Sequence, residues 1–484
     1  MGLPGWGDAR AGAAARDEVG HPHGAVPVTS CADDGGENTL RHALTNAADG
    51  DTVDLGQLTC STITLQSSAI SVEVDNLTVA GPGADKLTIH GPAQMKSSAP
   101  DGGPILRVLS HYGSGTLTLS GMTITDGSLA ADKAYGGCIY SAGALSISLA
   151  RITHCSATGQ SRAWGGGVFS RGMLTLLGVS IDTNTSSAVA GAQGISAAGG
   201  GLATTGPLQM VSSTISQNTA SVTDEVVAGT SVAYGGGAFF YTGGTSANIA
   251  YSTVSGNVAQ SIAGMPSSAG GGLAAIDVGV SITASTVDSN TADVAGGAVF
   301  EIVADAPDVA SAIRSSTVSG NAARFVGGGI MGFGPLTVHN STIAFNTSSA
   351  LGVSGLYAGG GTLDLQSSIL ANNAPAGADG GADFAAKATT AISGAGNLVM
   401  SSSAPTPDGT LHDDPGLAPL ARNGGPTSTH ALSASSVAID NGNSSDAGAS
   451  DQRGYGYPRV FGAQADIGAY EFSDVIFADD LELR

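Results

Sequence analysis

One repeated motif limits the fold of this chain more strongly than any other feature. The motif starts with a glycine pair and a small or apolar residue, and about fifteen residues later it continues as Ser/Thr-Ile/Val-x-x-Asn. The clearest second half is residues 213–218, and other copies end at Asn257, Asn290, Asn321 and Asn346, with weaker copies ending at Asn184 and Asn372. The glycine halves start at Gly136, Gly165, Gly199, Gly235, Gly270, Gly296, Gly327 and Gly359. Self-similarity with a period of 25 to 39 residues predicts a stacked-repeat protein.

Short alternating runs within each repeat predict β-strands. In residues 117–119, Leu-Thr-Leu, and 145–149, Leu-Ser-Ile-Ser-Leu, every second side chain is apolar. No segment of the repeats has a helical period, so turns rich in Gly and Asn are expected to join the strands. The simplest matching fold is a parallel coil with three short strands per turn and about twelve turns. The Ile/Val of each motif would then form an internal column, and the asparagines a ladder that faces either inward or outward.

The overall composition excludes several classes of partner. The net charge is −22 and only 12% of residues are charged, so neither nucleic acid nor an anionic membrane is an expected partner. No run of eighteen apolar residues occurs, which predicts that no segment spans a membrane. Residues 1–28 are unpatterned, rich in Gly and Ala, and unlike a signal peptide. We therefore expect a disordered segment there, and a true start of the protein further upstream.

Residues 29–60 are predicted to close the amino-terminal end of the coil. Leu40, Ala43 and Leu44 have helical spacing after Thr39, so a short helix would cover the open core. Cys31 and Cys60 flank this unit. They would form a disulfide in an oxidising compartment, and two reduced buried thiols are the alternative.

Two further cysteines fall at positions of the repeated motif. Cys138 occupies the small position after a glycine pair, and Cys155 occupies the asparagine position of the next motif. We interpret both as structural, either bonded to each other or packed. A metal site needs more ligands nearby than His154 alone, so no metal is expected here.

Segments at both ends of the chain resemble a known group of proteins. Residues 38–84, from Asn-Thr-Leu-Arg-His-Ala-Leu to Leu-Thr-Val-Ala-Gly-Pro-Gly-Ala, resemble the amino-terminal cap of bacterial right-handed parallel β-helix proteins, although an acidic insert follows Cys31. The repeat is similar to that of polymorphic outer-membrane proteins. Residues 423–471, from Asn-Gly-Gly-Pro-Thr to Asp-Ile-Gly-Ala-Tyr-Glu, are similar to the end of secreted "choice-of-anchor" proteins. The resemblance implies an all-β, single-stranded right-handed parallel β-helix of pectate-lyase-like type and export from the cell, but no particular activity.

Five regions follow from these patterns. We predict a disordered segment 1–28, an amino-terminal cap 29–60, parallel β-helix repeats 61–400, carboxy-terminal coils with a cap 401–472, and an acidic tail 473–484. In the carboxy-terminal cap, Arg453 is predicted to pair with Asp466 or Glu471 and so to close the last coil.

Aromatic residues precede several of the glycine pairs and are candidates for ligand binding. If they stack along the rod, they form a stripe that can pack against sugar faces. The alternative is that the rings only fix each loop to the rod. The candidates are Tyr135, Trp164, Tyr234 and Tyr357, with Phe325 two residues ahead of another pair.

The early repeats hold the weak catalytic candidates Arg151, His154 and Arg162. A polysaccharide lyase needs a basic residue and a second cationic group or calcium, whereas a glycoside hydrolase needs two carboxylates about 5 to 9 Å apart. Acidic residues in the repeats are scattered singly, which counts against a lyase. Three of them occupy neighbouring but different motif positions, Asp126, Asp182 and Asp288.

A carboxy-terminal run rich in side-chain oxygens is a weak candidate for calcium. Asp440, Asp446 and Asp451 lie among Asn, Gly and Ser, although their spacing is not that of an EF-hand. Turns formed by Asn and Asp explain the same residues, so no cofactor is expected unless calcium binds here.

These patterns favour a secreted or cell-surface protein with a structural or adhesive role, offering a long polar face to glycans. The alternative is a carbohydrate-active enzyme, a lyase or hydrolase, with its site on the early coils. A weaker third hypothesis is an exported passenger that lacks its own translocation domain. The sequence predicts neither the ligand nor the oligomeric state.

Overall fold

The chain is a single right-handed parallel β-helix, here described from a computed structural model. The described residues are 24–92, 105–189, 196–223, 232–261, 268–301, 309–348, 352–375, 382–446 and 448–473. Within them, the strands form three sheets, and almost every neighbouring pair of strands is parallel. The α-helix is Leu40–Asn46, and Ser444–Asp446 is a 3₁₀ turn.

Each full coil contributes two consecutive segments to sheet A and one strand to sheet B. Sheet B has twelve strands, which matches the predicted number of coils. Its strands are Thr62–Thr64, Thr88–His90, Thr123–Thr125, Arg151–Thr153, Ser180–Asp182, Thr214–Ser216, Thr253–Ser255, Thr286–Asp288, Thr317–Ser319, Thr342–Ala344, Ile369–Ala371 and Leu398–Val399. Those of sheet A are Ala25–Pro27, Asp51–Asp54, Ile70–Val72, Leu77–Ala80, Leu109–His111, Thr116–Ser120, Ile139–Ser141, Ala144–Ser148, Val168–Ser170, Leu174–Leu177, Leu202–Thr204, Leu208–Val211, Ala238–Ala250, Leu273–Thr283, Ala298–Glu301, Ser311–Arg314, Ile330–Phe333, Leu336–His339, Val353–Ala358, Thr362–Gln366, Ala382–Ala386 and Ala391–Ser393.

Sheet C occupies the third side of the coil. From Asn184 onward it holds the segments that follow each ladder asparagine, and three earlier strands extend it towards the amino terminus. Its strands are Ile105–Leu106, Ser128–Tyr135, Ser156–Trp164, Thr185–Ala188, Ser196–Ala198, Thr219–Val222, Val232–Tyr234, Val258–Ser261, Ser268–Ala269, Thr291–Val294, Ala322–Val326, Thr347–Ser348 and Ala374–Pro375.

The predicted apolar column lies inside the coil. Ile152 pairs in register with Ile181, which pairs with Ile215, and all three side chains are fully buried. The column continues through the middle residue of each strand of sheet B, while the residues on either side point outward. Strand alternation thus separates the core from the surface, as the period-two pattern predicted.

The asparagines that end the motifs form a ladder inside the coil. Asn218 shows the pattern, since its Nδ2 donates to Asn257 Oδ1 at 3.0 Å and to the Ile181 carbonyl at 2.9 Å. Its backbone N–H donates to the same oxygen of Asn257 at 3.0 Å. The ladder residues are at most 4% exposed, so they face inward. The prediction that Asn372 belongs to the ladder is wrong. Asn372 forms a corner with a φ of 57°, and Asn373 makes the ladder bonds. The members are Asn184, Asn218, Asn257, Asn290, Asn321, Asn346 and Asn373.

A disulfide replaces one glycine–asparagine contact of this ladder. In most coils the residue facing the ladder is glycine, because a β-carbon on Gly201 would lie 2.9 Å from Asn218 Cγ. In the first repeat Cys138 stands at the glycine position and Cys155 at the asparagine position, and the two are bonded. The Cys155 N–H donates to Asn184 Oδ1 at 2.9 Å. The disulfide therefore forms the first step of the ladder.

Buried serines, which the sequence analysis did not single out, form a second ladder at the corner between sheets A and B. The backbone N–H of Ser252 donates to Ser285 Oγ at 3.1 Å, and its own hydroxyl donates to the Ala250 carbonyl at 2.7 Å. Hydroxyls thus satisfy buried backbone groups where the chain leaves the sheet. The ladder comprises Ser213, Ser252, Ser285, Ser316, Ser341 and Ser368.

The amino-terminal cap contains the predicted helix and the first predicted disulfide. Leu40 and Leu44 of the helix are buried in the core of the coil, and Thr39 caps the helix by accepting from the His42 N–H at 3.2 Å. Cys31 and Cys60 are bonded. The boundary at residue 28 needs correction, because Ala25–Pro27 pairs with Asp51–Asp54 in sheet A and belongs to the first coil. Residues 1–23 lie outside the described part of the chain.

Residues 412–473, called the strap below, fold back along the outer face of sheet B. The Thr427 hydroxyl donates to the Ala284 carbonyl at 3.1 Å, and the Ala469 N–H donates to Thr342 Oγ1 at 3.0 Å. Residues 402 and 411 still form parallel bridges with the last coil. The prediction of a cap at residues 401–472 is therefore corrected, since most of this segment covers the side of the later coils.

The strap contains a buried network of charges that differs from the predicted one. Arg453 pairs with Asp451, at 2.9 Å from Nε and 2.7 Å from Nη2, and not with the side chain of Asp466 or Glu471. Arg459 contacts Glu471 at 3.3 Å. Burial raises the pKa of Glu471 to about 7 and also raises the pKa of Asp466.

Candidate functional site

Sheet C projects from the coil as a two-layered flange. In three consecutive coils one strand leaves the ladder asparagine, for example Thr185–Ala188, and a second strand such as Ser196–Ala198 returns to the glycine pair. Small side chains fill the space between the layers, including Ala188 and Ala197, which are fully buried. The tips of most of the later loops fall outside the described residues. The flange brings the residue before each glycine pair back to the outer face of sheet A.

The glycine pair makes this return possible. Gly165 has a φ of 69°, a left-handed conformation that side chains disfavour. A β-carbon on Gly166 would lie 2.2 Å from the Gly200 carbonyl oxygen, so the coils can stack here only without side chains. The resulting corner is tight, and it places the residue before the glycine pair against the outer face of the strand that follows the pair.

An aromatic cluster fills the angle between the flange and sheet A. Trp164, at the end of a returning strand, packs edge-on against Phe239 with 5.3 Å between ring centroids. Tyr135 contacts Phe169 at 4.8 Å, and Tyr234 stacks on Phe239 at 5.8 Å. Trp164, Phe169 and Phe239 are 9%, 3% and 2% exposed, so the centre of the cluster holds the flange against the coil. The cluster comprises Tyr135, Tyr140, Trp164, Phe169, Tyr234, Phe239 and Tyr241.

One rim of this cluster combines an exposed ring, Tyr112, and a half-buried ring, Tyr140, with two arginines. Tyr140 stacks on Phe169 at 5.9 Å with 11° between the ring planes, and Tyr112 lies 5.9 Å from Tyr140. The guanidinium carbons of Arg107 and Arg171 lie 5.3 and 5.9 Å from the centre of the Tyr140 ring. Tyr112 is 52% exposed and Arg171 is also exposed. This rim, defined as Tyr112, Tyr140, Arg107 and Arg171, presents aromatic faces and positive charge together.

Arg107 is the fixed member of the rim. Its Nε donates to the Gly136 carbonyl at 2.7 Å and its Nη1 to Ser110 Oγ at 2.9 Å. Burial lowers its pKa to about 10, partly opposed by Tyr112 and Tyr140, so the group stays protonated at neutral pH. Burial also raises the pKa of Tyr140, which therefore remains a neutral phenol.

Tyr357 lies apart from the other three aromatic candidates. It belongs to a strand of sheet A, pairs in register with Met331, and contacts Phe333 at 6.2 Å. The ladder-facing glycine of this coil is Gly355, where a β-carbon would meet the Asn373 amide at 2.9 Å. Tyr357 therefore follows the tight corner instead of preceding it, and it continues the same apolar surface further along the rod.

The three catalytic candidates do not form one group. Arg151 donates to both carboxylate oxygens of Asp182, at 2.8 and 2.7 Å, on the outer face of sheet B. Burial acts to raise the pKa of Asp182, but hydrogen bonds led by that from Arg151 hold it below its ordinary value. His154 is the exposed corner residue after the same strand. Arg162 lies on the flange, with its guanidinium 4.7 Å from the Trp164 ring, and so belongs beside the aromatic cluster.

The three carboxylates considered for hydrolysis are also separated. The prediction of different motif positions is wrong for Asp182 and Asp288, which occupy the same column of sheet B three strands apart. This corresponds to about 14 Å at the usual spacing of parallel strands. Asp126 is a corner residue with φ of 60° and contacts His90 Nδ1 at 2.8 Å. The separation of Asp182 from Asp288 exceeds that of a glycosidase carboxylate pair.

The calcium candidates have protein partners where they are described. Asp440 Oδ1 accepts from the backbone of Ala463 at 2.7 Å and Gln464 at 2.9 Å, while Asp451 holds Arg453. The side chain of Asp446 lies outside the described residues. Among the described residues, no group of three or more His, Cys, Asp or Glu is arranged to hold a metal ion.

Sequence reasoning found the flange half of the aromatic cluster and missed the half on sheet A. Tyr140, Phe169 and Phe239 each stand four residues after the first glycine of a motif, at Gly136, Gly165 and Gly235. This constant spacing identifies, from the sequence, the half of the aromatic cluster that lies on sheet A. The arginines of the rim carry no such periodicity, since the residues that follow Ser141 and Thr204, the register partners of Ser170 before Arg171, are Ala142 and Thr205.

Comparison with known proteins adds a distant likeness of fold. No family model and no curated protein sequence matches the chain. Among solved structures, the crystal structure of pectate lyase Pel9A aligns with probability 1.00, 12% identity and a TM-score of 0.40, covering 93% of this chain and 97% of that chain. The likeness is too distant to carry an argument about function. Within the described residues, no helix combines the length and hydropathy needed to span a bilayer.

Proposed function

We propose that the chain is a secreted or cell-surface β-helix with a structural or adhesive role, and that it contacts glycans through the rim of the aromatic cluster. The observation that carries this proposal is the arrangement around Tyr140. Its ring has Phe169 stacked on one side, Tyr112 beside it, and the guanidinium groups of Arg107 and Arg171 within 6 Å.

The chemistry of the rim suits a saccharide. Aromatic rings pack against the apolar C–H faces of sugar rings, and the polar neighbours hydrogen-bond the hydroxyls. Arg171 is exposed and so can donate to hydroxyl or carboxylate oxygens of a ligand. Since Arg107 is held by backbone and hydroxyl acceptors, its charge is fixed in place beside the Tyr140 ring.

The distribution of charge supports the same surface. The chain has 17 Lys and Arg against 39 Asp and Glu, yet three arginines contact the rings of one small region. Such a local excess of positive charge in an acidic protein favours ligands that carry carboxylate or sulfate groups over neutral ones. We therefore expect acidic glycans to be retained more strongly than neutral glycans.

An extracellular location is supported by the cysteines. All four cysteines of the chain form disulfides, Cys31 with Cys60 and Cys138 with Cys155. Disulfides persist mainly in oxidising compartments such as the periplasm and the extracellular space.

The alternative, a polysaccharide lyase or glycoside hydrolase, has one observation in its favour. The Thr153 hydroxyl donates to Asp182 at 2.9 Å, so its contact with His154 at 3.0 Å must be donated by Nδ1–H. In the neutral imidazole, this bond leaves His154 Nε2 as an acceptor on an exposed side chain, which is the form of a general base.

The deciding experiment is affinity electrophoresis on acidic and neutral polysaccharides, combined with an assay for released reducing and unsaturated ends. Tyr112→Ala and Arg171→Gln alter exposed side chains and should each weaken retention about tenfold. Tyr455→Ala, at a fully exposed ring on the strap, is the matched control and should change nothing. If both rim variants are retained as strongly as the unchanged protein, the proposed glycan surface is refuted. If products are released and His154→Gln abolishes that release, the chain is an enzyme.

A further inference from the structure

A second candidate site lies at the amino-terminal end of the coil, away from the aromatic cluster. A cavity of about 670 Å³ opens between the segment that follows Cys31 and the first strand of sheet B. This volume falls within the range of pockets that bind small molecules. Its polar lining includes Asp33, Asp34, Arg41, Thr62, Thr64 and Gln66.

The floor of the cavity is rigid and electrically balanced. Asp33 is 7% exposed and accepts from Arg41 Nε at 2.7 Å, from Arg41 Nη2 at 2.9 Å, and from the Gln66 N–H. Two more guanidinium hydrogens of Arg41 point to the carbonyls of Ser68 at 2.9 Å and Ala69 at 3.4 Å. The positive charge in the cavity is thus already neutralised by Asp33, and four of the five guanidinium hydrogens of Arg41 are bonded within the protein.

The polar atoms that remain are mostly acceptors. Asp34 uses Oδ1 to accept from the Gly36 N–H at 2.9 Å, which leaves its second oxygen to the exposed side of the cavity. Gln66 donates through Nε2 to the Thr64 carbonyl at 3.1 Å, so its amide oxygen is available to accept a hydrogen bond from a ligand. The hydroxyls of Thr62 and Thr64 are on exposed side chains. The cavity therefore offers one uncompensated negative charge surrounded by neutral oxygen atoms.

We propose that this cavity binds a primary ammonium group, carried on a small ligand with further hydroxyl or amide donors. An ammonium group has three donors and no acceptor, which complements the free atoms of the cavity. The carboxylate of Asp34 supplies the charge partner, and Thr62, Thr64 and Gln66 supply oxygen acceptors around it. The net charge of −22 attracts cations towards the whole molecule and so assists their capture.

Two kinds of molecule carry this chemistry, namely an amino sugar and the amine of a peptide. Neither depends on the rim of the aromatic cluster, so this proposal stands or falls separately from the proposed function. The acetylated forms of both keep the remaining hydroxyls or amides, lose the charge, and gain one small acetyl group. They are therefore the matched ligands for a test.

The test is a ligand-observed NMR titration of the full chain with glucosamine, N-acetylglucosamine, Nα-acetyl-lysine amide and its Nε-acetylated form. We expect the charged member of at least one pair to bind and its acetylated partner to bind at least tenfold more weakly. The pair that binds identifies the source of the ammonium group.

Variants at two neighbouring acidic residues decide whether the cavity is the site. Asp34→Asn keeps the bond to the Gly36 N–H but removes the charge, and it should weaken binding about tenfold. Glu37→Gln removes an exposed charge outside the cavity lining and should leave binding unchanged. Equal binding of charged and acetylated ligands, equal effects of the two variants, or no binding at all would each overturn the proposal.

Discussion

Removal of one amide from the asparagine ladder should destabilise the whole coil. Asn257 makes four buried hydrogen bonds through its side chain, donating to the Ile215 carbonyl and to Asn290 Oδ1, both at 2.9 Å. Its Oδ1 accepts from the backbone and side-chain nitrogens of Asn218, both at 3.0 Å. The substitution Asn257→Ala deletes all four bonds and leaves a small cavity within the stacked coils.

The expected magnitude follows from the groups left behind. A buried polar group without a partner costs about 1–3 kcal/mol, whereas a typical hydrogen bond contributes about 1 kcal/mol. The N–H of Asn218 and the carbonyl of Ile215 lose a partner where water cannot replace it, because both residues are fully buried. We expect Asn257→Ala to lower the free energy of unfolding by about 3–5 kcal/mol.

Urea unfolding followed by far-UV circular dichroism measures this effect through the midpoint and the slope. Asn248→Ala is the matched control, because Asn248 is the same residue type in the preceding strand of sheet A, is half-buried, and points outward. Its substitution should change the free energy by less than about 0.5 kcal/mol. If the two variants unfold at the same urea concentration, the ladder does not stabilise the coil as argued here.

Three further predictions concern the disulfide and the strap. The double variant Cys138→Gly with Cys155→Asn restores the residues that other coils use at this step, so its urea midpoint should exceed that of Cys155→Ala alone. Because burial raises the pKa of Glu471 to about 7 from 4.5, its stabilising contribution is complete below pH 4.5 and lost as the pH rises through 7. The free energy of unfolding should fall across that interval by up to about 3 kcal/mol, and Glu471→Gln should flatten this dependence between pH 5 and pH 8. Arg459→Met removes the positively charged partner of Glu471 from the buried network, which should accelerate proteolytic cleavage within the strap relative to the earlier coils.

The coil was predictable because the sequence positions that determine it recur in every motif. The Ile/Val column and the asparagine ladder recur at fixed positions of each motif, so a single interpretation explains many residues at once. The inward direction of the ladder was not predictable, since an amide can stack on either side of a corner. The structure shows that the direction is coupled to Gly201 and its equivalents, which leave room for Asn218 and the other amides. Glycine at that position is the sequence signal for an inward ladder.

The strap could not be predicted from local pattern. Its contacts join residues far apart in sequence, such as Thr317 with Gln452 and Ser319 with His430. The sequence of sheet B carries one sign of the strap. In its last strands some outward residues are small or apolar, as are Ile369 and Ala371. These residues interrupt the outward Thr/Ser pattern at the last of the coils that the strap covers, whereas Thr317 and Ser319 keep the pattern and bond to the strap. An apolar residue at an outward position of a repeat therefore indicates a covering segment.

The two ends of the asparagine ladder show why its direction matters. Each ladder asparagine donates its backbone N–H and one amide hydrogen towards the carboxy-terminal end and its other amide hydrogen to the preceding coil, so the last member, Asn373, has two donors that need an acceptor beyond it. Asp383 provides one, because its Oδ1 accepts from the N–H of Asn373 at 2.8 Å and from its Nδ2 at 2.9 Å. Its Oδ2 accepts from the backbone and hydroxyl of Ser401, so the carboxylate ends the run without adding a donor. At the other end, the Cys138–Cys155 disulfide has no amide hydrogen that would require a partner. Each end is thus closed by a group whose hydrogen-bonding capacity matches the direction of the ladder.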